Sequence, residues 1–215
     1  MSPKTLPVLL AGAALLLASA AAVYDEERPE RDLSKLTQAD KAEIMQRHMA
    51  VMGPGEEHGL LSKYEGAWDQ TTRMWMTQGA DPITVKGTSN AEMVLGGRFL
   101  MIRGKGKFMG MPNESLTMMG FDRRSGEFTI QAYDSSGTYS VGARGPLGED
   151  GKTAVMHGTD YDAIGEGTQV YDFVMHWIDD DTWKVEIIFH DAFHAPDGKP
   201  FKMVEITNER AGDRG

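Results

Sequence analysis

The sequence contains no cysteine, and that one absence removes several readings together. There is no disulfide framework, no thiolate nucleophile and no lipid attached through a cysteine, so stability has to come from a packed core. Long apolar runs are scarce too. Leu6–Leu17 is too short to cross about 30 Å of hydrocarbon comfortably, and no other segment is apolar for long enough. Positive charge is in deficit: 22 Lys and Arg stand against 32 Asp and Glu, for a net charge of −10. Such a chain lacks the basic stripe that neutralises phosphates, which argues against nucleic acid as a partner. It is also poorly suited to anionic lipid.

Catalytic signatures are missing as well. The sequence has no Gly-x-Ser-x-Gly elbow, no phosphate-cradling loop and no His-Glu-x-x-His. Gly104-Lys105-Gly106-Lys107 is too short and unspecific for a phosphate site. Glu92, Asp122 and Asp172 are unpaired strand acids, which usually face water. The expectation is a protein without catalytic or metal-binding residues.

What is present is a three-part chain. Lys4, the apolar Leu6–Leu17 and the small residues Ala18 to Ala22 have the layout of a cleavable export signal over residues 1–22. The expected location is therefore periplasmic or extracellular, with no membrane span after cleavage. Residues 23–53 form a charged leader and a short helix, in which Ile44, Met45, His48, Met49 and Met52 recur at three- and four-residue spacing until Gly53-Pro54-Gly55 stops them. A second helical turn is expected over Glu56 to Tyr64.

From Gly66 the apolar rhythm changes to period two, broken by turns such as Arg123-Arg124-Ser125-Gly126 and Pro196-Asp197-Gly198. Ten strands can be read: 67–78, 83–95, 98–107, 114–122, 127–133, 137–144, 152–159, 168–178, 182–191 and 200–210. No helix of crossover length separates them, so a parallel α/β sheet is excluded. The expected fold is all-β, an antiparallel barrel over residues 54–211 that hides its edges by closing on itself. A β-sandwich is the alternative.

The run Pro54-Gly55-Glu56-Glu57-His58-Gly59-Leu60-Leu61 leads into Gly66-Ala67-Trp68-Asp69. Further on come Gly87-Thr88-Ser89-Asn90-Ala91-Glu92-Met93-Val94-Leu95-Gly96-Gly97-Arg98-Phe99-Leu100, Gly120-Phe121-Asp122 and the closing Asp197-Gly198-Lys199-Pro200-Phe201-Lys202-Met203-Val204-Glu205-Ile206-Thr207. Together these resemble the bacterial domain of unknown function 1579 family. The resemblance implies a calycin-like barrel, related in shape to lipocalins, fatty-acid-binding proteins and haem-binding nitrobindins, and no established activity. It also implies that Gly66 and Trp68 on the first strand, with Arg210 on the last, close one end of the barrel. The histidine- and aromatic-rich stretch Phe189 to His194 departs from the family pattern.

Fifteen methionines suit either an adaptable apolar pocket or an ordinary core. Met74, Met101, Met118, Phe173, Met175 and His176 are the candidate ligand-facing residues. Around His176, Tyr171, Phe173, Met175 and Trp177 share one strand face and Asp172, Val174 and His176 the other. Both faces are partly apolar, so the inward one stays open. On the next strand Trp183, Val185, Ile187 and Phe189 mark the inner face. His190 and His194 are expected to be solvated, and His58 to cap or pack. The favoured reading is a non-enzymatic barrel that binds a small apolar or amphipathic molecule and needs no cofactor. The alternatives are an envelope structural or interaction module with a filled core, and a haem or metal protein using His176 or His157.

Overall fold

The computed structural model describes residues 33–108, 110–162 and 164–212; the expected export signal lies outside them. The chain falls into two compact units that meet in sequence between Gln46 and Arg47. The described part of the first holds a 3-10 turn, Leu33–Lys35, and the start of helix α1 (Gln38–Met52). Thr37 opens that helix. Its hydroxyl accepts the Asp40 backbone N–H at 3.2 Å, while the Asp40 carboxylate accepts the Thr37 N–H at 2.8 Å. This reciprocal pairing is a capping box with Asp in the Glu position.

In the second unit, Arg123 donates to the Ala50 and Gly53 carbonyls and Arg98 to that of Met52, which satisfies groups that the end of α1 leaves orphaned. Helix α2 (Glu56–Ser62) follows. Then come β1 (Gly66–Met74), β2 (Ile83–Val94), β3 (Phe99–Phe108), β4 (Met111–Asp122), β5 (Glu127–Asp134), β6 (Ser140–Gly145), β7 (Thr153–Asp162), β8 (Gly167–Asp179), β9 (Thr182–Phe189) and β10 (Phe201–Arg210). Each pairs antiparallel with its neighbour in sequence and β10 returns to β1, so the sheet is a closed barrel. The architecture is calycin-like, and closure leaves no sheet edge exposed. No helix among the described residues is long and apolar enough to cross a membrane.

Two strands end two or more residues before the apolar pattern suggests, each for a local reason. β1 ends at Met74 because a turn begins just beyond it, with Gly79 at φ +80° and the Ala80 N–H on the Thr77 carbonyl. β9 ends at Phe189 because the Asp191 carboxylate accepts the backbone N–H groups of Phe193 and His194, forming a side-chain turn that takes the chain out of the ladder. Closure is thinnest between β6 and β7, where the register holds only Arg144 opposite His157. The Tyr171 hydroxyl spans that seam from β8 and donates to the Gly142 carbonyl at 3.1 Å. Gly158 makes room for it, since a Cβ there would meet the tyrosine ring.

Candidate ligand cavity

Alternation along each strand sends one set of side chains inward, and the two halves of the barrel fill differently. At one end α2 enters the mouth with Leu61 and Tyr64, both buried. Trp68 is fully buried and donates its indole N–H to the Tyr64 carbonyl at 2.9 Å. The Trp183 ring meets those of Tyr64 and Trp68 edge-on, with centroids 6.1 Å away in each case. Burial first, and then Asp180 and Asp179, push the Tyr64 phenol up to about 12.

Arg210 lies opposite Trp68 in the β1–β10 register and stacks its guanidinium 4.4 Å from the indole centroid. Its N–H groups are taken by the Asp181 carboxylate and by the carbonyls of Lys63, Glu65 and Asp180. Gly66, at φ +117°, brings the backbone close under that guanidinium. The space among Leu61, Leu100, Met175 and Trp177 has no room for a water molecule. This end is solid.

Beyond that layer the interior opens into a cavity of about 290 Å³, at the low end of ligand-pocket sizes. One wall is apolar and large, built from Phe173, Val185, Ile187 and Ile206. Small and polar side chains line the cavity as well: Thr72, beside Ile206 in the β1–β10 register, with Gln70, Ser115 and Thr117. Gly87, close to Gly106, and Gly104, opposite Ser115, border the cavity without side chains of their own. A Cβ on Gly87 would stand 2.7 Å from the Lys105 carbonyl oxygen, so the narrow packing there admits only glycine without a shift.

Trp183 is shared between the solid end and the cavity. Asn208, fully buried and opposite Trp183, accepts the Gln70 amide N–H at 2.8 Å. The loops around the mouth carry exposed apolar side chains: Met76 after β1, Phe108 and Met111 between β3 and β4, Tyr139 before β6, Ile164 after β7 and Phe193 after β9.

A family model described as a protein of unknown function, DUF1579, matches residues 53–210. The chain belongs to that family. No curated protein matches it. Among solved structures, a redesigned β-barrel is similar at 13% identity over 71% of this chain and 95% of that one, with a TM-score of 0.37. That overlap is too loose to bear on the site.

In this DUF1579 barrel, Met74 and Phe173 line the cavity. Met175 points inward too, but into the solid end. Met101, Met118 and His176 turn to the outer face instead, because each is out of phase with a buried neighbour: Leu100, Met119 and Met175 respectively. Met101 and Met118 face one another across β3 and β4. His176 meets the Glu186 carboxylate at 3.1 Å on the outside, beside Lys184 and Lys202. Burial alone would raise the Glu186 carboxyl, but the bonds from Lys202, His176 and Lys184 outweigh it and hold the group down to about 2.

No histidine among the described residues lines the cavity, so the interior offers no imidazole to a haem iron. His157 and His190 flank Asp172 on the outer face, with His190 Nε2 2.8 Å from one carboxylate oxygen. His194, expected to be solvated, is tucked against the Phe189 ring with a 4.3 Å centroid separation and bonds Asp191 at 2.9 Å. No group of three or more His, Asp or Glu among the described residues is arranged to hold a metal.

The sequence places Trp183 on the inner face but does not single out Gln70, Thr72 or Ser115 as cavity residues, or the buried Asn208 beside them. A signal was present in period two: Gly87, Ser89 and Ala91 on β2, with Gly104 and Gly106 on β3, put small residues at successive inward positions.

Proposed function

We propose that this chain is an exported, non-enzymatic barrel that carries a small apolar or amphipathic molecule in its half-open interior. The observation that carries the reading is the cavity of about 290 Å³, walled on one side by Phe173, Val185, Ile187 and Ile206. An interior with a solid end and a void half needs an occupant more than a uniformly filled core would, because apolar walls without contact atoms forgo dispersion energy. The exposed apolar residues of the mouth loops support entry by an apolar molecule at that end. The N-terminal sequence pattern supports export, with the mature N-terminus expected between Ala21 and Val23.

Titration with the neutral dye N-phenyl-1-naphthylamine tests the binding. A saturable rise in fluorescence at one dye per chain is expected, and Ala132→Phe, which fills the cavity, should abolish it without loss of the fold. Native mass spectrometry of protein purified from its own host should show a co-purified small molecule. The absence of both saturation and an added mass would sink the reading. N-terminal sequencing of exported material that returned Met1 or Ser2 would sink the export half alone.

A further inference from the structure

We propose that the cavity floor is a subsite for a neutral carbonyl oxygen, so that the ligand is an uncharged apolar molecule bearing a ketone, aldehyde, ester or amide. This rests on the cavity-binding reading above and adds the chemistry that the site selects. Among the described residues, Trp183 Nε1, Asn208 Nδ2 and Ser89 Oγ are buried without a hydrogen-bond partner. Trp183 and Asn208 stand opposite each other on β9 and β10; both are buried, and Trp183 borders the cavity. An indole N–H can only donate, and the Asn208 oxygen is already taken by Gln70, which leaves its NH₂ in surplus. Buried donors without acceptors are uncommon and costly, so an acceptor oxygen belongs at this place. Gln70 lines the cavity and, through its bond to Asn208, connects that residue to it.

Charge decides which oxygen. Lys86, Lys105 and Lys107 border the cavity, but strand alternation turns them outward, where Lys86 bonds the Thr71 hydroxyl and Lys105 pairs with Glu114 at 3.4 Å. Arg210 is engaged over Trp68 at the solid end. The ionisable groups bordering the mouth besides the lysines are Tyr133 and Asp134, and neither is a cation. A carboxylate at the floor would be a buried charge with no cation to meet it, whereas a carbonyl would satisfy the donors without bringing charge.

The test uses the full chain and three matched probes, 2-octanone, octane and octanoate, in competition with N-phenyl-1-naphthylamine. In the wild-type protein 2-octanone should bind at least about tenfold more tightly than octanoate. Trp183→Phe, which keeps an aromatic six-membered ring but removes the pyrrole N–H, should weaken 2-octanone about tenfold relative to octane, and Asn208→Leu should do the same. The infrared carbonyl band of bound 2-octanone should lie below its position in an alkane solvent. If a variant does not fold, that band in the wild-type protein decides alone: a shifted band supports the subsite and an unshifted one overturns it. Should neither octane nor 2-octanone displace the dye, the cavity-binding reading and this inference fall together. Should both bind while Trp183→Phe weakens neither, or should octanoate bind best, only the carbonyl subsite falls and the floor holds water.

Discussion

The two ends of this barrel are made by the same strands and differ in almost every other respect. At the end reached by α2, aromatic rings and Leu61 leave no space for water, and Trp68 has every polar atom engaged. At the other end Gly87, Gly104, Ser115 and Thr117 contribute little side-chain volume, and a cavity of about 290 Å³ remains. A closed barrel of ten strands has more interior than its side chains must fill. The solid end supplies the stability of a chain without disulfides, and the void half is free to be a site. A division of labour of this kind makes unequal predictions for substitutions at equal depth.

The largest effect belongs to Trp68. Its replacement by alanine removes the ring against which Tyr64, Trp183 and Arg210 all pack. Unfolding in denaturant should show a loss of about 3–5 kcal/mol. A midpoint equal to that of the wild type would show that the solid end does not carry the fold.

The comparison is sharpened by adding volume to each half. Ala154 is fully buried where β7 meets β8, opposite Met175. Ala154→Leu should cost about 1–3 kcal/mol, as overpacking of a filled core does. Ala132 borders the cavity, and Ala132→Leu should leave the denaturant midpoint within the small range of a tolerated substitution, near 0.5 kcal/mol either way. Equal costs at the two positions would mean that the cavity closes in solution.

How far the sequence announces this difference can be followed along single strands. On β9, Trp183, Val185 and Ile187 alternate with Thr182, Lys184 and Glu186, so the inward face is unambiguous from the letters alone. On β8, Val174 shares the outer face with Asp172 and His176 yet is itself buried, and the alternation that should mark the inside is blurred. That is why His176 could not be assigned to a face before the register was known, since a slip of one residue exchanges the faces. The strands and the closed topology were legible because turns punctuate nearly every hairpin. The cavity was not, because a void is recorded by small residues whose positions matter only after the ladder is paired: Gly87 comes close to Gly106, and Gly104 comes opposite Ser115, only once β2, β3 and β4 are in register. Asn208 reads as an ordinary polar residue near a strand end until Trp183 is seen opposite it.

Arg210 gives a smaller effect at the same end. Its guanidinium covers Trp68 from a position about one-third exposed and ties β10 to the β8–β9 turn through Asp181 at 2.8 Å. Arg210→Ala should cost on the order of 1 kcal/mol, the scale of a partly exposed cation–π contact. Arg210→Lys should recover only part of it, since an ammonium cannot reach the carbonyls of Lys63, Glu65 and Asp180 at once as the planar fork does.

The smallest expected effect is also at the solid end, and it depends on pH. His58 lies in the first turn of α2, 6% exposed and edge-on to the Phe121 ring. Its Nδ1 accepts the Gly55 backbone N–H at 3.0 Å, doing for α2 what a glutamate does in a capping box. Accepting there requires an unprotonated Nδ1. Burial lowers the His58 pKa below 6.5, Arg123 and Arg98 push in the same direction, and Glu57 opposes them. The unfolded chain therefore binds more protons than the folded one as pH falls through 6.5. The stability contributed by His58 is complete above that pH and declines as acid takes the pH down toward the folded value. His58→Gln offers an acceptor that does not titrate, so the variant should keep the cap and lose this slope. The measurement is the denaturant midpoint of both proteins at pH 7.5 and 5.5. The carboxylates titrate equally in the two, and the difference between their pH dependences isolates His58. It should amount to about 1 kcal/mol or less, the net value of one hydrogen bond, with the wild type the more acid-sensitive. Parallel pH dependences would mean that α2 holds its place by Leu61 and Tyr64 alone.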